Sequence, residues 1–383
     1  MRFKQFYLIE GGNVRVPDPD SDKGYIEAEK LDLTKLTDKD FEYIKIALIN
    51  CFKEFNKAFK DEYGEPFWKN EDKLIKSAIV FSGSTRPLFS KHFKDYTEFK
   101  KSVGDLDLQI PEELMTKMKT FLEKNKNKTF GEFKFKGFTA AGTQLNGLLE
   151  FPENWKQIIN HIQIDFEGTP FKNGLPTEFA TLGHYSSWQD ISHGVKGLFA
   201  KYLLRALVSS IKTEKVTIVG KTGKPLSREP IQSFLGFSVD KGVRVKIKPV
   251  LDDKGEIKIT NGLPTYIETP TSDSTYEQDL SKIYSLVFGE MPSEKEKTSL
   301  YSFIRLLDEM KKKLSPDKIE EVFNRFAELL WAPGAQGIER NDPEGDKEIK
   351  SAAYKAFVDK FPELKKIKVQ DMIDKYTKTY RMT

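Results

Sequence analysis

Residues 104–110 read Gly-Asp-Leu-Asp-Leu-Gln-Ile, and this alternation constrains the chain more than any other segment. Successive side chains of a strand point to opposite faces, so Leu106, Leu108 and Ile110 enter a core while Asp105 and Asp107 share the other face. Two carboxylates a few Å apart repel each other. Such a pair is tolerated when exposed to solvent, when one member holds a proton, or when a cation sits between them. Hard cations such as Mg²⁺ take carboxylate oxygens, keep several waters and are completed by substrate phosphates.

A second segment has the same period. In His161-Ile-Gln-Ile-Asp-Phe-Glu167, Ile162, Ile164 and Phe166 face inward, and Gln163, Asp165 and Glu167 face the other way. A neighbouring strand of this kind sets Asp165 beside the Asp105/Asp107 pair, with Glu167 as the alternative third ligand. Upstream, the apolar run Ala78-Ile-Val-Phe81 reads as a buried strand, followed by the small-residue turn Ser82-Gly83-Ser84 and a helix start. A turn there exposes backbone N–H groups at the positive end of a helix, which suits phosphate. Gly83 permits close approach of a ligand, Ser84 adds a hydroxyl, and Arg86 reaches a phosphate oxygen. A phosphate-binding turn, a carboxylate pair and a third carboxylate are the parts needed for two-metal displacement at phosphorus.

Around these segments the pattern predicts helices over 38–63, 71–76, 87–103 and 111–124, and a hairpin from 133–138 and 144–151. A strong helix is expected over 191–211. Residues 215–270 are β-rich, with a hairpin of 242–250 and 256–260 around the turn Asp252–Gly255. Three helices follow over 276–330, then a loop rich in Gly, Pro and Asp and a helical tail. The expected class is α+β, a mixed sheet with flanking helices plus a C-terminal β-hairpin and helical region. The main boundary is placed at residue 212, giving a catalytic domain with an N-terminal extension over 1–212. Residues 213–383 form a β-rich, then helical domain whose role the sequence does not reveal.

Composition narrows the class by exclusion. The 383 residues are 38% hydrophobic and 31% charged, enough apolar material for a buried core, and at ~150 residues per domain they suggest two or three domains. Sixty-two basic and 58 acidic side chains leave a net charge of +4, far from that of a protein that coats nucleic acid. Cys51 is the one cysteine, so the chain has no internal disulfide and no zinc cluster; on the apolar side of the 38–63 helix it reads as a buried hydrophobe. The N-terminus lacks the apolar core of a signal peptide, and no stretch reaches the ~20 apolar residues of a membrane span. A cytoplasmic protein with no membrane partner is expected.

The order of strand, Gly-Ser, helix, Asp-x-Asp and a later strand bearing Asp resembles the polymerase-β nucleotidyltransferase superfamily over about Ile79 to Asp165. Glu10-Gly-Gly-Asn-Val14 is similar to a segment of phage-encoded nucleotidyltransferases, which would put the protein in a host cytoplasm. The resemblance implies a nucleotidyltransferase-type mixed sheet and transfer of a nucleoside monophosphate from a nucleoside triphosphate to an acceptor hydroxyl, with release of pyrophosphate. It implies two Mg²⁺ or Mn²⁺ ions, with Asp105 and Asp107 ligating both and Asp165 holding the ion that activates the acceptor. Gly83 and Ser84 would take the β- and γ-phosphates, with Arg86 and a helical lysine, Lys196 or Lys201, on the triphosphate. The acceptor would be an RNA such as tRNA, a protein or a small molecule. The alternative is a binding or structural protein that keeps this scaffold without catalysis. A nuclease has no use for the Gly-Ser turn.

Overall fold

A computed structural model of the chain describes residues 14–90, 93–141, 144–219, 231–239, 241–245, 248–249, 252, 254, 259–260, 263–267, 276–331 and 343–366. Glu10 to Asn13 lie outside them. The chain divides into two compact units, Met1–Gly194 with Gln336–Asp346, and Val195–Ala335 with Lys347–Thr383. The division falls ahead of the strong helix and not at residue 212.

The first unit opens with short strands β1 (Arg15–Pro17) and β2 (Tyr25–Glu27), which pair as a hairpin, and β3 (Leu31–Asp32). Helix α1 (Asp38–Tyr63) begins where Thr37 and Asp40 cap each other's backbone and ends at Gly64 in the left-handed region, φ +82°. Its core face carries Phe52, Phe55 and Phe59, with the Cys51 thiol fully buried among them. Helices α2 (Glu71–Lys76), α3 (Thr85–Ser90) and α4 (Phe93–Thr97) precede β4 (Ser102–Val103), which pairs with β3. Strand β5 (Asp105–Pro111), helix α5 (Met115–Lys124), and strands β6 (Thr129–Phe130), β7 (Phe133–Ala141), β8 (Gln144–Glu150) and β9 (His161–Thr169) follow. The unit continues through the small pair β10 (Phe171–Lys172) and β11 (Leu175–Pro176) to helices α6 (Glu178–His184) and α7 (Trp188–Ser192).

These elements build a mixed five-stranded sheet in the order β5-β9-β8-β7-β6. The β5–β9 pair is parallel and the others are antiparallel. The α+β expectation holds at this level. One sheet face is apolar: Leu106, Leu108, Ile110, Ile162, Ile164 and Phe166 are at most 1% exposed and pack in one core with α1 and α5. Phe55 is its centre, stacked on Phe130 at 3.9 Å and meeting Phe121, Phe135 and Phe166 within 6.2 Å. Gly147 is required here, because a Cβ would stand 2.9 Å from the Phe135 ring and 3.1 Å from Ile164 Cγ2. On the other face, the β1–β2 hairpin packs Val14, Val16 and Ala28 onto Leu148.

Two local expectations fail. Residues 77–80 are a turn, with Ala78 at φ +53°, and Phe81 makes a single antiparallel bridge to Leu108. An apolar run of four residues buries equally well as a turn. The 87–103 helix is two short helices, α3 and α4, followed by β4.

The helix expected over 191–211 is interrupted at Gly194, and in the second unit α8 (Gly197–Ser209) starts after it. Strands β12 (Lys212–Val219), β13 (Ile231–Ser238), β14 (Gly242–Val245), β15 (Lys248–Pro249), β16 (Ile259–Thr260) and β17 (Leu263–Ile267) form the second sheet. The hairpin expected between 242–250 and 256–260 is not among the pairings of the described residues: β14 pairs with β13, and β15 and β16 both pair with β17. Helices α9 (Leu280–Phe288), α10 (Glu294–Lys297), α11 (Phe303–Lys313), α12 (Pro316–Trp331) and α13 (Pro343–Lys360) follow among the described residues. No described helix is long and apolar enough to cross a membrane.

Truncating the centre of the first core, Phe55→Ala, is expected to cost about 3–5 kcal/mol of unfolding free energy. Denaturant titration of the variant checks this; a loss below 1 kcal/mol would contradict the placement of Phe55.

Candidate metal centre

The parallel register fixes the site. Asp105 pairs with Gln163 and Asp107 with Asp165, so every second residue of both strands stands on the face away from the core. Asp105, Asp107 and Asp165 each offer a carboxylate oxygen, and these oxygens lie within 4.8 Å of one another. Asp165 is 4% exposed and the other two are half-buried.

Such a cluster is electrostatically costly. Burial, then the charges of Asp105, Glu167 and Asp165, hold the Asp107 carboxyl well above the usual carboxylate range, with Lys100 opposing weakly. Burial also pushes Asp165 up, against the hydrogen bond it accepts from Gln163. Three converging hard oxygen donors carrying excess negative charge fit a divalent cation such as Mg²⁺ or Mn²⁺.

The side chains are held from behind. Gln163 Nε2 donates to both Asp165 oxygens, at 2.9 and 2.8 Å, and its Oε1 accepts the Val14 N–H at 3.0 Å. Asp107 N donates to Thr85 Oγ1 at 2.9 Å, and the Thr85 hydroxyl lies 3.4 Å from Asp107 Oδ2. Glu167 is not one of the three convergent ligands. Its Oε2 accepts the Ser82 hydroxyl at 2.6 Å and lies 3.0 Å from His184 Nδ1.

The Ser82-Gly83-Ser84 turn is pinned against β5: Ser82 N donates to Asp107 O, and Tyr96 OH donates to Ser84 O. Gly83 has φ +49°, and a Cβ on it would stand 2.6 Å from Asp107 Oδ2. The glycine therefore sets the closeness of turn and carboxylate. Its N–H, expected to face a phosphate, donates to His184 O at 2.8 Å. Among the described residues, the Ser84 N–H and hydroxyl meet no acceptor, so Ser84 carries whatever donor capacity the turn offers a ligand. The Arg86 guanidinium lies over the Tyr185 ring at 4.5 Å, and Trp188 stacks on Tyr96 at 6.0 Å. Lys196 is the N-cap of α8 and Lys201 lies within that helix, both in the second unit.

Sequence reasoning reached the three aspartates and the turn, and marked His184 in the loop after the third strand, but missed the positioning roles of Thr85 and Gln163. Gln163 had a signal, since it shares the polar face of β9 two residues before Asp165. Thr85 had none, because its role arises from a pairing distant in sequence. No family model, curated protein or solved structure matches the chain.

A carboxyl whose pKa is raised by folding destabilises the native state once ionised. That penalty is absent below the unfolded value near ~4 and grows as pH rises through the raised range. Asp107→Asn is therefore expected to leave the melting temperature of the metal-free protein unchanged near pH 4 and to raise it at pH 8, by about 2–4 °C for each kcal/mol relieved. Thermal melts at the two pH values check this, and equal shifts at both would contradict it.

Proposed function

We propose that the chain is a metal-dependent nucleotidyltransferase of the polymerase-β type, moving a nucleoside monophosphate from a nucleoside triphosphate to an acceptor hydroxyl. The convergence of Asp105, Asp107 and Asp165 within 4.8 Å, beside a glycine turn pressed on Asp107, carries this reading. In the reaction the acceptor oxygen bonds to the α-phosphorus, the bond from that phosphorus to the bridging oxygen breaks, and pyrophosphate leaves. Bound Mg²⁺ or Mn²⁺ would neutralise phosphate charge and acidify the acceptor hydroxyl.

The protein's own part is positioning. Asp105, Asp107 and Asp165 would hold the ions, and Gln163 and Thr85 fix the rotamers of Asp165 and Asp107. Gly83 keeps the turn close enough for a phosphate to reach both the Ser84 donors and the ions. Arg86, flattened on Tyr185, is a preoriented guanidinium suited to a phosphate oxygen. The acceptor, whether RNA, protein or small molecule, has no motif in the residues of the second unit.

Asp105→Ala and Asp107→Ala are each expected to lower transfer from a labelled triphosphate by at least ~10³-fold, while leaving the circular dichroism spectrum intact. Incubation with each labelled triphosphate, Mg²⁺ or Mn²⁺, and total RNA or lysate protein reads base preference and acceptor class together. Turnover retained by the double variant would refute the proposal. Wild-type protein that binds neither cation nor triphosphate in calorimetry would favour the non-catalytic scaffold.

Gly83→Ala tests the turn separately. The left-handed backbone costs an alanine about 1–2 kcal/mol, and its methyl must displace the Asp107 carboxylate. Activity is expected to fall at least ~10-fold with the fold retained; wild-type activity would contradict the close packing.

A further inference from the structure

The register that aligns Asp107 with Asp165 continues across the sheet. Asn146 of β8 is the partner of Asp165, and Thr139 of β7 is the partner of Asn146. The row Asp107, Asp165, Asn146, Thr139 therefore crosses four strands on one face. Asn146 is 3% exposed, and its Oδ1 is buried with no hydrogen-bond partner. Thr139 Oγ1 is likewise buried without a partner. A buried amide oxygen left unpaired is costly, and folded proteins keep few of them.

The chemistry beside Asn146 says what would satisfy it. Side chains opposite one another in an antiparallel pair have Cβ atoms about 4.5–5.5 Å apart. Two such side chains reach one cation whose oxygen ligands lie ~2.1 Å from it. Gln163 Nε2 bridges both Asp165 oxygens. A carboxylate has about four acceptor positions, so two remain for other partners. An amide oxygen is a hard neutral donor. Next to three carboxylates it adds coordination without adding charge, whereas a fourth carboxylate would deepen the repulsion.

We propose that Asn146 Oδ1 is an additional ligand of the cation held by Asp165, so that this ion binds across β9 and β8 as well as across β5 and β9. The proposal rests on the cation-binding reading of the aspartate cluster. The competing occupant is a water bridging Asn146 and Thr139, which would leave cation affinity unmoved.

The test is Mn²⁺ titration of the full chain, reading free Mn²⁺ by electron paramagnetic resonance, after melts confirm that each variant is folded. Asn146→Leu, close in size and without an oxygen, is expected to weaken Mn²⁺ about 10-fold or more. Asn146→Asp should bind at least as tightly as wild type, and Thr139→Val should match it. Asn146→Ala serves the same purpose if the leucine variant does not fold. Binding by Asn146→Leu or Asn146→Ala within twofold of wild type overturns the assignment and leaves the aspartate site standing. Wild-type protein without saturable Mn²⁺ binding, or binding undiminished in the Asp105→Ala/Asp107→Ala double variant, removes the aspartate site and this proposal with it.

Discussion

Everything in the first unit that bears on chemistry depends on the parallel pairing of β5 with β9. A strand's side chains alternate, so sliding one strand by a single residue would send Asp165 into the core and Phe166 out of it. Burying an ionised carboxylate among phenylalanines is far more costly than any local rearrangement. The apolar face of Leu106, Leu108, Ile162, Ile164 and Phe166 therefore enforces the register, and the register brings the three aspartates together. The hydrophobic core specifies the polar site.

That core stabilises the fold strongly enough to tolerate the repulsion it creates. Asp107 and Asp165 both sit where burial and like charge disfavour ionisation, so the site is built against the intrinsic preference of its own side chains. Gln163, Thr85, Ser82 and His184 do not remove that repulsion; they hold the carboxylates and Glu167 in place. Gly83 adopts without strain a left-handed backbone that a residue with a Cβ would strain, and so lets the turn lie against Asp107.

How far this was legible beforehand follows from what each signal reports. Period-two alternation is local, so it gave the strands at 105–110 and 161–167 and the shared face of Asp105 and Asp107. Apolar residues at helical spacing gave α1, whose ends the structure closes with the Thr37/Asp40 caps and Gly64. The partners of the acidic residues were not legible: that Asn146 lies beside Asp165, or that Gly83 N–H meets His184 O, depends on register between segments far apart in the chain. Ala78–Phe81 shows the complementary limit, since an apolar run reports burial and not conformation. The 242–260 segment shows another, because the described residues of two good strand patterns around a good turn pair with β13 or β17.

The central claim is that Asp105, Asp107 and Asp165 together trap divalent cations. Anomalous X-ray scattering from crystals grown with Mn²⁺ and a non-hydrolysable nucleoside triphosphate tests it most directly. Manganese peaks within bonding distance of all three carboxylates are the predicted result. Peaks elsewhere, or carboxylates that stay protonated and metal-free with the triphosphate bound at another surface, would contradict it.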